Sequence, residues 1–73
     1  MSDKKLAVLK GNLSRRVMTA RKAVGLSQEE LAEKAGIDRT YVSQIERGIS
    51  NPSLVVLVKL SQALGVEVVD LIS

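Results

Sequence analysis

Apolar residues recur at the three- and four-residue spacing of a helix in successive segments, and glycines punctuate them at Gly25, Gly36, Gly48 and Gly65. A glycine in the left-handed conformation ends a helix, so the four read as stops. Start signals follow in register. Ser27 with Glu30 three residues on forms a capping box. Asp38 suits the cap of the next helix, and Ser53, just after Pro52, the cap of a fourth. The pattern predicts helices over 4–24, 28–35, 39–47, 54–64 and 68–71. Gly11 and Asn12 weaken the middle of the first helix. The first three or four residues are expected to fray.

The run Leu54–Val58, LVVLV, is β-prone by composition. It lies in a longer stretch that puts Leu54, Leu57, Leu60, Ser61 and Leu64 on one stripe, so the helical reading prevails. No segment alternates polar and apolar residues between turn signals, and no internal repeat or low-complexity tract is present. The expectation is an all-α chain forming one domain over residues 1–73.

Residues 28–47 carry the most information. Leu31, Ala32 and Ala35 form the inner face of one short helix, and Val42 and Ile45 that of the next. Ala32 is small where the two would cross, Gly36 permits a sharp turn, and Ile37 plugs the corner. Two short helices joined at a steep angle need these features. Arg39, Thr40, Ser43, Gln44 and Arg47 remain on the outside of the later helix. All donate hydrogen bonds, and such side chains address base edges and phosphates. Glu46 is placed inward, which leaves this face without an acidic group after Asp38.

Charge supports the same reading. Residues 1–26 carry Lys4, Lys5, Lys10, Arg15, Arg16, Arg21 and Lys22 against Asp3, a net +6, while the remainder carries −3. This polarity suits a polyanion, although a solvated helix face also explains it. Composition excludes other classes. Cys and His are both absent, which rules out disulfides, the usual zinc sites, and Ser-His or Cys-His catalysis. No enzyme, cofactor or metal is expected. Tyr41 is the sole aromatic residue, too few for stacking single-stranded bases. No apolar run is long enough to span a bilayer and no signal sequence follows Met1, so no membrane partner is expected and the cytoplasm is the expected compartment. A core this small leaves no room for a small-molecule ligand.

The blocks L-S-Q-E-E-L-A, A-G-I, I-E-R-G, N-P-S-L and A-L-G-V, in this order over about 15–72, resemble the Cro/repressor-type (Xre) helix-turn-helix family. The resemblance implies a compact five-helix, lambda-repressor-like DNA-binding domain with its helix-turn-helix motif at 28–47. Its third helix would enter the major groove of double-stranded DNA. The resemblance assigns base reading to Arg39, Thr40, Ser43 and Gln44, with Arg39 suited to a bidentate contact with guanine. It assigns phosphate contacts to Gln28, Arg47, Ser50 and Asn51, and Arg15 and Arg16 are placed to reach the backbone from the first helix. Tyr41 either flanks this surface or covers core. Arg21 and Glu46 are implied to be a structural ion pair.

Two departures from the family pattern matter. Ile49 stands where many relatives carry a basic residue, and Val55, Val56, Val58, Val68 and Val69 make the last third unusually apolar. Val55 falls opposite the core stripe of the fourth helix. The valines either thicken a small core or, as favoured here, form a homodimer interface around Val55, Val58, Val68 and Val69. The expected function is a transcriptional regulator that binds an inverted repeat as a homodimer. With the chain read as standing alone, it resembles controller proteins of restriction–modification systems or small phage-type repressors. The alternative is a protein-interaction or antitoxin module using the same fold.

Overall fold

The computed structural model describes residues 3–73. Five helices follow one another: α1 Asp3–Ala23, α2 Gln28–Ala35, α3 Arg39–Glu46, α4 Leu54–Leu64 and α5 Val68–Ile72. No strand occurs among the described residues. Boundaries differ from the sequence expectation by one residue at four helix ends. Helix α3 stops at Glu46, and Arg47 is its cap. Of the residues expected to fray, Asp3 and Lys4 are helical, with Asp3 in the first turn where the helix dipole favours a carboxylate. Met1 and Ser2 lie outside the described residues. Gly11 and Asn12 do not interrupt α1.

The caps explain the short helices. Ser27 Oγ accepts from the Glu30 amide at 3.0 Å, while Glu30 Oε1 accepts from the Ser27 amide at 2.9 Å. Asp38 accepts from the Thr40 amide, and Ser53 from the Val56 amide. At the end of α2, Gly36 turns left-handed at φ 71°. This lets the Ile37 amide reach back to the Ala32 carbonyl at 2.9 Å. Nothing lies within 4 Å of where a Cβ on Gly36 would sit. Gly36→Ala is therefore expected to cost about 1 kcal/mol through the backbone alone, read as a lower urea midpoint at unchanged slope. A wild-type midpoint would show that the turn does not need its glycine.

Each helix contributes to the core. Val17, Leu31, Val42, Ile45, Leu60 and Leu71 are all but fully buried. Ala32 is buried in this cluster, and Ile37 packs against it from the turn. Helix α1 packs on α3 and α5, and α2 packs on α3 and α4. The stripe assigned to α4 needs one correction. Leu60, Ser61 and Leu64 are buried, and Leu57 is half-buried, but Leu54 is 70% exposed. Leu54 is the first residue of its helix, and helical side chains lean toward the N-terminus. Its side chain therefore lies beyond the core, beside exposed Val55 and Val58, instead of filling it.

Candidate nucleic-acid interface

Helix α3 has a buried side and a polar side. Val42, Ile45 and Glu46 point inward. Arg39, Thr40, Gln44 and Arg47 are exposed, and Ser43 is half-buried beside them. Helical spacing aligns these five into one stripe of donors. Tyr41 is half-buried and packs against the core. Beyond α3, Ser50 is half-buried and Asn51 exposed.

Glu46 sets the position of this stripe. Arg21 of α1 donates from Nε to Glu46 Oε2 at 2.6 Å and from Nη2 to Oε1 at 2.9 Å. The remaining Arg21 Nη1 donates to the Leu26 carbonyl at 2.9 Å. Gln28, at the start of α2, adds a bond from Nε2 to Glu46 Oε1 at 3.1 Å. The Ser14 hydroxyl donates to the Glu46 backbone carbonyl. One carboxylate thus ties α1 and α2 to the last turn of α3. The Glu46 side chain is 1% exposed and that of Arg21 12%, so the pair is largely removed from water. Fork-to-fork geometry of this kind leaves little freedom to rotate.

Burial pushes the Glu46 carboxyl up, but the hydrogen bonds from Arg21 and Gln28, with the positive charges of Arg21 and Lys22, outweigh it. The net result is a carboxyl below its ordinary value of 4.5. The Glu46 hydrogen bond in turn raises the Arg21 guanidinium further, against burial. A depressed carboxylate stabilises the fold above its unfolded value, and that stabilisation is lost as pH falls through the folded value. The melting temperature of the wild type should therefore fall more steeply below pH 4.5 than that of Glu46→Gln. Parallel pH curves for the two proteins would contradict this assignment.

Arg15 and Arg16 separate in space. Arg16 Nε donates weakly to the Ser73 carbonyl past the end of α5, at 3.4 Å. Arg15 instead bonds the Asn12 side chain at 2.7 Å and shares a groove with Arg47. Among the valines, Val55 is 63% exposed, Val58 39% and Val69 61%, while Val68 is half-buried. With Leu54 they leave apolar surface on the outside of α4 and α5.

Sequence reasoning missed two residues here. In the sequence Asn12 reads only as a weak point in a long helix, and Ser14 has no assigned role. Asn12 Nδ2 donates to the Ile72 carbonyl at 3.3 Å, docking α1 on α5, and Ser14 docks α1 on α3. The available signal was their position on either side of buried Leu13.

A family model described as helix-turn-helix (HTH_3) matches residues 17–71. The chain is 51% identical over 47 residues to control protein C.BamHI of Bacillus amyloliquefaciens, an alignment taking in 64% of this chain and 58% of that protein. The crystal structure of the restriction-modification controller protein C.AhdI from Aeromonas hydrophila superposes with a TM-score of 0.81 at 45% identity, covering 85% of this chain and 94% of that one. The N-terminal DNA binding domain of SinR from Bacillus subtilis does so with a TM-score of 0.80 at 44% identity, covering 84% and 90%.

Proposed function

The chain belongs to this helix-turn-helix family, and from that premise we propose that it is a sequence-specific, double-stranded DNA-binding transcriptional regulator. The observation that carries the reading is the stripe of exposed donors on α3, held in place by the buried Glu46. Helix α3 enters the major groove, and Arg39, Thr40, Ser43 and Gln44 meet base edges. Arg15, Arg47, Ser50 and Asn51 meet phosphates beside it, and Gln28 does so with the amide hydrogen it does not spend on Glu46. Arg16 meets the backbone only by leaving the Ser73 carbonyl. Tyr41 flanks the surface. The likeness to restriction–modification controllers and to a SinR DNA-binding domain supports this reading.

One domain this small reads a short half-site, so the proposal includes a homodimer on an inverted repeat. The exposed Val55, Val58 and Val69, with half-buried Val68, supply its interface. Selection from a random duplex pool at physiological salt tests both statements, because non-specific attraction is damped there. The expected result is an inverted repeat with half-sites about one helical turn apart. Weak, steeply salt-dependent retention without enrichment would instead favour a protein partner for the apolar face.

A further inference from the structure

Helix α1 begins at Asp3, well ahead of residue 17, where the family match starts. Its early turns run beside the end of α3 and bound a groove of about 490 Å³. Lys10 and Arg15 line one wall, Arg47 the other, and Ser14 and Gly48 lie between. The carboxylate on the lining is Asp3, in the first turn of the helix. Among the described residues, none of the three cations forms an ion pair.

Arg15 is held in a defined position. Its Nη2 donates to Asn12 Oδ1 at 2.7 Å, while Asn12 Nδ2 donates to the Ile72 carbonyl at 3.3 Å. These two bonds decide which end of the carboxamide faces Arg15. The guanidinium lies back over Gly11, where an added Cβ would stand 3.5 Å from Nη1. Arg15 is thus turned toward the part of α1 that carries Lys10. Arg47 is also the last member of the polar stripe on α3, so the groove continues that stripe.

We propose that this groove takes a phosphate of the DNA backbone beyond the base pairs read by α3, with Lys10 as the added contact from the extended α1. The inference rests on the DNA-binding reading above and deepens it. Lys10, Arg15 and Arg47 outnumber the single carboxylate of Asp3 on this lining, which leaves the groove net positive, and a duplex presents a continuous row of phosphates. A phosphate contact of this kind adds affinity without sequence preference.

The test compares wild type, Lys10→Ala and Lys10→Gln on a duplex carrying the selected site, at salt from 50 to 200 mM, with phosphate-ethylation interference. Thermal melts first establish that both variants fold. Each variant is expected to show a log–log salt slope shallower by about 0.9, so its affinity falls about threefold less across that range. Ethylation at one flanking phosphate per half-site should hinder wild type more than either variant, which keep Arg15 and Arg47 but lack the Lys10 contact. The selected sequence should be the same for all three. Inorganic phosphate at matched ionic strength should not displace wild type, and displacement lost in the variants would overturn the backbone assignment in favour of a free anion. If wild type binds its site and the folded variants match it in slope and interference, the inference fails while the DNA reading stands. If wild type selects no site, both fall together.

Discussion

Glu46→Ala lowers stability by about 3 kcal/mol, near the lower end of what breaking a buried ion pair costs. Three side-chain donor contacts converge on this carboxylate, two from Arg21 and one from Gln28. Its removal leaves Arg21, 12% exposed, with the Leu26 carbonyl as its remaining hydrogen-bond partner. The cost is chiefly that of a cation left largely dry and uncompensated. For a domain of this size the melting temperature should drop by roughly 12–24 °C. Glu33→Ala, on the exposed side of α2, is the control and should stay within about 0.5 kcal/mol of wild type. Two variants that melt together would refute a structural role for the pair. Replacing Arg21 and Glu46 together by methionine should recover part of the loss, because no buried charge is then left alone.

Arg39→Ala should leave the fold intact and erode base discrimination. The side chain is exposed at the first position of α3, and the cap at Asp38 bonds the Thr40 amide without its help. A bidentate contact to guanine is worth about 2 kcal/mol of discrimination, roughly a 30-fold preference at one base pair. The variant should therefore bind matched and singly mismatched operators with nearly equal affinity. Arg47→Ala should behave differently, weakening every sequence alike and reducing the salt slope by about one. The contrast is measured by titrating both variants onto both operators at two salt concentrations. If the two substitutions act identically on both operators, the division between base-reading and phosphate-contacting residues is wrong.

These two residues also mark how much the sequence revealed. Arg39 was legible as an outward donor because α3 is short, strongly patterned and bounded by Asp38 and Gly48. Helix-end signals depend on a few adjacent residues, so the chemistry of capping identified α2 and α4 to the residue. The ion pair came from family resemblance, since nothing in local spacing brings residues 21 and 46 together. Leu54 was misplaced because a stripe defines a direction around a helix axis and not how far along it the packing partners reach.

Glycine stops, capping side chains and apolar spacing determined by themselves that this chain forms five helices, and the polar residues of α3 already marked the surface proposed to face DNA. These effects act within a few residues, so they are written in the order of the chain. Tertiary structure decided what Glu46, Asn12 and Arg15 do. Helix packing alone sets Glu46 against Arg21 and Gln28, turns the Asn12 carboxamide between α5 and Arg15, and brings Lys10 opposite Arg47. Hydrogen bonds and desolvation depend on angles and on distances within a few tenths of an ångström, which only the packed helices supply.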